Sequence, residues 1–229
     1  MGDGFFTKIA GKVIIDFGCG EGDDAVEMAA RGAKRVIGID IREDVLQTAR
    51  QKARMAGVQN QCSFVSSTDE PADVIVSADA FEHFADPARI LWIMGNLLHP
   101  AGEVFASFGP TWYHPLGGHL FSVFPWAHLL FSEKALIRWR SRFKADGATR
   151  FGEVAGGLNQ MSISRFEELV ARSPLQIESI ELVPIGKLRR FQNRLTREFT
   201  TSIVRCHLVK RDGKQPSRQI GERFLWGGL

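Results

Sequence analysis

Residues 13–22 read VIIDFGCGEG and set Gly18, Gly20 and Gly22 at alternate positions behind Asp16, with Cys19 and Glu21 between them. Three residues without a Cβ let a ligand come close to the main chain at a strand-to-helix turn. Asp40 follows Gly18 by 22 residues, a spacing that suits an acidic strand end accepting the two hydroxyls of a ribose. These features fit a dinucleotide and an adenosyl ligand equally. Charge separates the two: a pyrophosphate dianion would meet Asp16, Glu21, Asp23 and Asp24 at the helix start, with no Lys or Arg there to compensate. The same carboxylates attract a cation, so the turn selects a cationic, phosphate-free nucleoside. The GxGxG spacing, in place of GxGxxG, agrees with that choice.

A second group of chemistry-bearing residues lies within 111–160. His114, His119 and His128 stand there among Trp112, Tyr113, Phe121, Phe124, Trp126 and Phe131. Histidine exchanges a proton near neutral pH, so His119 in GGHLF and His114 in WYHP are candidate general bases, with His128 third. His83 reads equally well as a structural histidine and is assigned no catalytic role. Cys19, Cys62 and Cys206 are widely separated and form no CxxC pair, which gives neither a zinc-ligand set nor a disulfide framework; no metal is expected. Cys19 reads as a small filler of the turn rather than a nucleophile.

Alternating elements must hold these residues in place. Residues 12–17 read as a buried strand, and 23–30 as a helix with Ala25, Val26, Met28 and Ala29 on one face. A second strand covers 35–40. A second helix carries Val45, Leu46, Ala49 and Ala53 as its apolar stripe and stops at Gly57. Strands follow at 62–66 and 72–78. Asp86-Pro87 caps and opens a helix to about residue 98, and 102–107 is strand five. This alternation predicts an α/β fold with a parallel, doubly wound sheet.

The pattern breaks after Pro110. The segment 111–160 has no clean period. Because open α/β sheets bind ligands at the carboxyl ends of their strands, it is expected to be an inserted lid and acceptor region rather than a satellite core. Ser164-Arg165-Phe166-Glu167 reads as a capping box opening a further helix. Strands at 175–182 and 202–209 flank an expected amphipathic helix over 187–199. Leu188, Phe191, Leu195 and Phe199 lie on one face of it, and Lys187, Arg189, Arg190, Arg194 and Arg197 around the other. The result is one domain, 1–210, and a polar, glycine-rich tail, 211–229, that is loosely held.

With 229 residues, 44% of them hydrophobic, the chain can bury one α/β core, and a net charge of +3 is too small for a dedicated nucleic-acid binder. A small-molecule partner is favoured. The opening MGDGFFTKIAGK lacks a signal-peptide pattern, and the apolar run 120–131 is too short to span a bilayer, so a soluble, cytoplasmic protein is expected. The basic 187–199 segment suits anionic lipid, but a solvated face over a core contact is the commoner outcome. About ten residues precede strand one, so covering the site falls to the insert or to helices that a shortened chain lacks.

DFGCGEG followed by GID, SADAFEHFADP and LLHPAGEVFAS resembles the class I S-adenosylmethionine-dependent methyltransferases, especially the group of ubiquinone and menaquinone biosynthesis enzymes. The motifs fall in register over roughly the first half of the chain. The resemblance implies a Rossmann-like fold, with a mostly parallel seven-stranded sheet whose last strand is antiparallel. It implies S-adenosyl-L-methionine as methyl donor and S-adenosyl-L-homocysteine as product.

Residue by residue, the resemblance implies that Asp16 and the turn of Gly18, Cys19, Gly20 and Gly22 hold the methionine part. Asp40 would accept the ribose hydroxyls, and Ile41 would pack on the adenine. Thr68, beside Ser67 and Asp69, matches the position that meets the adenine amine. The backbone at Asp79, Ala80 and Phe81 would face the methionine moiety and the methyl group, and Glu82-His83 completes the motif. An Asn/Asp-Pro-Pro-aromatic motif is missing after strand four, which disfavours nitrogen acceptors in nucleic acid or protein and favours O- or C-methylation of a small molecule. Two rivals stand beside this reading. One is a nicotinamide-dependent oxidoreductase, which the acidic turn opposes; the other is an adenosyl-binding protein without turnover.

Overall fold

The computed structural model describes residues 3–121, 124–145, 147–153 and 157–211. Seven strands, β1 (Val13–Phe17), β2 (Arg35–Ile39), β3 (Cys62–Val65), β4 (Ala72–Ala78), β5 (Leu98–Phe108), β6 (Leu175–Pro184) and β7 (Thr201–Lys210), form one sheet in the order β3-β2-β1-β4-β5-β7-β6. The first five pair in parallel, and β7 runs antiparallel to both β5 and β6. The helices are α1 (Asp3–Ile9), α2 (Asp23–Ala30), α3 (Glu43–Met55), α4 (Pro87–Leu97), α5 (Ala127–Leu130), α6 (Glu133–Arg140), α7 (Ile163–Ala171) and α8 (Arg197–Thr200). From β1 the chain winds outward to β3 and then returns to β4 on the other side of β1. That reversal opens a crevice at the carboxyl ends of β1 and β4.

Side-chain alternation along the strands makes two core layers. Ile14, Val36, Val74, Val76 and Phe105 face α1, α2 and α3, where Phe5, Ile9, Met28 and Leu46 are buried. Ile15, Ile37, Ile75 and Val104 face α4 and α7 with Leu91, Met94, Ile163 and Phe166. Each such fully buried side chain contributes about 1.5–3 kcal/mol of transfer free energy. Asp86 caps α4 as expected, its Oδ1 accepting the Arg89 N–H at 3.0 Å, with Pro87 opening the helix.

Several elements differ from the sequence expectation. Helix α1 stands where no element is expected, and Phe5, Phe6 and Ile9 seal one end of the first layer. The start of α7 is capped by Ser162, whose hydroxyl accepts the Arg165 N–H at 3.2 Å, and not by Ser164. The reason is that Glu198 arrives from β7's side of the chain and takes the Ile163 and Ser164 N–H groups at 3.0 and 2.8 Å, with the Ser164 hydroxyl.

The expected 187–199 helix does not form. A 3₁₀ turn at Gly186–Phe191 and the short α8 replace it. Asn193 and Thr196 compete with helical bonding, because Asn193 Oδ1 accepts the Leu195 and Thr196 N–H groups at 2.8 and 3.2 Å and the Thr196 hydroxyl donates to the Phe191 carbonyl at 2.5 Å. Within the insert, Phe121, Ala127, Leu136, Phe151 and Leu158 pack together with Trp112 and Ile137. The insert thus has a small apolar core of its own. The expected loose tail, beyond Arg211, lies outside the described residues.

Candidate active site

Strand β1 carries Asp16 and the glycine turn to the carboxyl edge of the sheet. The turn is anchored from β2, since the Gly18 and Cys19 N–H groups donate to the Ile39 carbonyl at 2.8 and 3.0 Å. Gly18, Gly20 and Gly22 all have positive φ, at 84°, 50° and 78°, a backbone region that L side chains rarely adopt. Their surroundings differ. A Cβ on Gly18 would lie 2.8 Å from the Ala80 Cβ, and one on Gly22 would lie 2.7 Å from Ala49 and 2.8 Å from Phe64. A Cβ on Gly20 would meet nothing within 4 Å. Gly18 and Gly22 are therefore small so that the protein can pack on itself, and of the three it is Gly20 that fronts open space. The half-buried Cys19 thiol is pushed well above its ordinary pKa by burial and then by Asp16 and Asp40, which fits a filler and opposes a nucleophile.

Asp16 is 3% exposed, and its Oδ2 has no hydrogen-bond partner. Burial first, then the charge of Asp24, and less strongly that of Asp40, push its carboxyl up to about 8, against one hydrogen bond from the Ala25 backbone. A buried oxygen of this kind is satisfied by an incoming N–H or O–H donor or by a cation. The surrounding charge is less one-sided than the sequence suggests. Lys52 of α3 reaches Glu21 at 3.0 Å and Asp23 at 2.8 Å, so the two outer carboxylates are compensated from a helix 29 residues downstream of Asp23. The uncompensated field falls on Asp16 and Asp24, and burial raises the pKa of Asp24 too.

At the end of β2, Asp40 is 9% exposed and well supplied with donors. Its Oδ2 accepts the Gly20 N–H at 3.1 Å and its Oδ1 the Arg42 N–H at 3.0 Å. The Arg42 guanidinium adds bonds at 3.2 and 3.3 Å, one to each oxygen. Burial alone would raise the Asp40 pKa, but the Arg42 side-chain and backbone bonds and the Gly20 N–H outweigh it and hold the carboxyl below its ordinary value. Ile41 is 91% exposed beside it, an apolar side chain with no place in the core. Thr68 is half-buried and its hydroxyl accepts the Glu70 N–H at 3.1 Å, while Ser67 and Asp69 are exposed.

The end of β4 forms the opposite wall. Asp79 has φ +49°, and its N–H donates to the Ser107 carbonyl of β5 at 2.9 Å. Ala80 lies against Gly18, but the Phe81 ring is fully buried against Phe84, Phe108 and Phe166, so Phe81 offers the site its main chain alone. That main chain is clamped by Asn159, whose amide donates to the carbonyls of Phe81 and Phe84 at 2.6 and 2.8 Å. Its N–H reaches the Glu82 carbonyl at 3.0 Å. Nothing in the sequence around Asn159 signals this role. Glu82 is buried, with one oxygen on the Gly109 N–H at 3.0 Å and the other without a partner, and burial raises its pKa.

The histidines divide by position. His119 lies beside His83, their ring centroids 5.4 Å apart, and His83 Nδ1 is 3.0 Å from the Gly157 carbonyl. His119 has φ +49° and a buried Nε2 without a partner; burial, then the neighbouring His83, lowers its pKa. His114 instead accepts the Leu116 N–H on Nδ1 at 2.9 Å, and His128 Nε2 lies 2.6 Å from the Trp112 carbonyl. Those two close turns within the insert. A surface hollow lined by Glu133, Lys134, Ile137, Arg138, Thr149 and Arg150 shares no residue with this site. Among the described residues, no group of three or more His, Cys, Asp or Glu is placed to hold a metal ion.

Comparison with known proteins points to one family. Residues 8–109 match the model of a methyltransferase domain. The chain is 40% identical over 108 residues to a ubiquinone biosynthesis O-methyltransferase of Neisseria meningitidis serogroup C, a match covering 44% of this chain and 45% of that protein. It is 36% identical over 100 residues to the ribosomal protein L11 methyltransferase of Photobacterium profundum, covering 43% and 34%. The chain thus spans less than half the length of these curated relatives. Its fold matches the crystal structure of an S-adenosylmethionine dependent methyltransferase from Mesorhizobium loti with a TM-score of 0.59 at 19% identity, over 89% of this chain and 92% of the other. Motifs, sheet order and these likenesses agree on a methyltransferase domain over residues 8–109 and on the fold of the S-adenosylmethionine-dependent methyltransferases.

Proposed function

We propose that this protein transfers a methyl group from S-adenosylmethionine to a small-molecule acceptor, at oxygen or carbon. The observation that carries the reading is the pairing of a buried, unpartnered Asp16 oxygen with open space over Gly20 and an ionised Asp40 on the neighbouring strand end. Asp16 would hold the ammonium of the methionine part, and Asp40 the ribose hydroxyls. The Asp40 oxygens now carry four donors, as many as a carboxylate has lone-pair sites, so the half-exposed Arg42 side chain swings aside when those hydroxyls bind. Ile41 supplies an apolar surface for the adenine, with Ser67 and Thr68 at its edge. When bound, the donor supplies an electrophilic methyl group on a sulfonium.

The protein's remaining tasks are to align the acceptor, exclude water and remove a proton where the acceptor is a hydroxyl or an acidic C–H. His119 suits the last task. Its Nε2 is buried and unpartnered, its lowered pKa keeps it neutral, and it sits beside the loop that follows β4. His114 does not suit it, because its Nδ1 already serves a turn. The 111–160 insert is the cover of the acceptor space on this reading, with Asn159 fixing one end of it to the β4 loop.

Calorimetric titration with S-adenosylhomocysteine and with NADH tests the donor. Binding of the first, and its loss in Asp40→Ala, is expected; binding of NADH alone would overturn the reading. His119→Ala is expected to keep S-adenosylhomocysteine affinity and lose about 100-fold or more in turnover on a responsive acceptor. Donor binding without methylated product across a broad acceptor panel would favour a catalytically silent adenosyl-binding protein instead.

A further inference from the structure

Strand β6 is parallel to β5, since both run antiparallel to β7. The connection that leaves β6 at Pro184 therefore emerges at the same edge of the sheet as the glycine turn, Asp40, Asp79 and the insert that follows β5. Two apolar segments meet there, with the Tyr113 ring of the insert 5.4 Å from the Phe199 ring of the connection. The connection does not bury its large side chains: Leu195 is 91%, Phe191 50% and Phe199 44% exposed. Leu195 cannot retreat, because the Asn193–Thr196 turn fixes it at a tip through bonds to Asn193 Oδ1.

Charge surrounds this apolar tip in one sign. No Asp or Glu occurs in residues 182–197, whereas Lys187, Arg189, Arg190 and Arg194 are all exposed there. Arg190 lies over the Phe191 ring at 4.7 Å. Arg197 belongs elsewhere, being held by Glu167 at 2.6 Å. The same polarity marks the whole chain, with 10 Lys/Arg against 16 Asp/Glu in residues 1–110 and 19 against 10 in residues 111–229.

We propose that the β6–β7 connection, with Tyr113 of the insert beside it, is a docking surface for an anionic lipid bilayer. An exposed leucine at a fixed tip suits the acyl boundary, and aromatic and arginine side chains around it suit the headgroup layer. A nucleic acid would match the basic residues but leave the leucine tip without a partner. The surface stands without the transferase reading. Where that reading also holds, docking turns the acceptor side of the site toward the lipid.

The test is vesicle flotation of the full chain with phosphatidylcholine alone and with phosphatidylcholine mixed with phosphatidylglycerol. Binding to the mixed vesicles, weakened by added salt, is expected. Each basic residue is expected to strengthen it about fivefold. Leu195→Ser is expected to weaken binding about tenfold at any salt concentration. The triple variant Arg189→Glu, Arg190→Glu, Arg194→Glu is expected to abolish the preference for anionic vesicles. Circular dichroism and S-adenosylhomocysteine titration in vesicle-free solution separate these effects from misfolding and from failure of the donor site. Absence of binding, equal binding to both vesicle types, or variants that bind like the wild type overturns the proposal. So does light scattering that finds a dimer dissolved by Leu195→Ser with no vesicle binding, which would make the tip an interface between copies.

Discussion

Asp16 and Asp40 end neighbouring strands, yet they titrate in opposite directions. Asp40 is held down because Gly20 and Arg42 donate to it, whereas Asp16 is buried with one bare oxygen and rises to about 8. In the free protein Asp16 is therefore protonated at neutral pH. Its folded pKa exceeds the ordinary value of 3.8, so the stability it contributes is complete below that value and is lost as pH rises toward 8. A cationic ligand favours the carboxylate, so binding of S-adenosylmethionine below pH 8 should release a proton and tighten as pH rises. Titrations in two buffers of different ionisation enthalpy will read the proton directly. Asp16→Asn should remove both the proton release and the decline of melting temperature with pH, and weaken the donor by about 2 kcal/mol. Donor affinity independent of pH between 6 and 9 would show that Asp16 does not face the ligand's charge.

Among the elements, α7 separates local capping chemistry from tertiary capping. The sequence pattern at Ser164–Glu167 satisfies the rule for a capping box, but the helix is capped two residues earlier, at Ser162, with Glu198 closing two further N–H groups. Ser162→Ala should cost about 1 kcal/mol, and Glu198→Ala as much or more, because it strips two backbone donors and the Ser164 hydroxyl at once. Loss of the Ser164 hydroxyl in Ser164→Ala removes a bond of the exposed side chain and should cost less than either. Thermal denaturation of the three variants gives the ranking; a Ser164→Ala variant as damaged as Ser162→Ala would place the cap where the pattern alone puts it. The same competition explains 187–199, where apolar spacing favours a helix but Asn193 and Thr196 offer the backbone a tighter local partner.

At the scale of the molecule, Glu103 ties three elements. It pairs with Lys8 of α1, and its Oε2 lies 2.6 Å from His207 Nε2 of β7, with His207 stacked on Phe105 at 4.7 Å. The His207 bond and then Lys8 hold Glu103 down to about 2, against the effect of burial. A depressed carboxyl contributes stability that is present above its ordinary pKa of 4.5 and lost as pH falls toward 2. Glu103→Gln should therefore lower stability by about 1 kcal/mol at pH 7 and by nothing near pH 2. Melting curves across that range will show the two proteins converge on acidification.

The sequence by itself determined the parallel core of the sheet, the Gly20 turn, the Asp40 strand end and the boundaries of α2 and β4. Each of these is written in local period, glycine conformation or a short fixed spacing, which neighbouring residues impose whatever lies across the fold. Only the tertiary structure decided that Lys52 neutralises Glu21 and Asp23, that Arg42 rests on Asp40, that Asn159 clamps the Phe81 and Phe84 carbonyls, and that His119 rather than His114 stands beside His83. Most of these contacts join residues distant in the chain, and even the nearby Arg42 depends on where the β2 end and the turn meet. Their geometry comes from how the layers pack, and no local pattern in the chain encodes it.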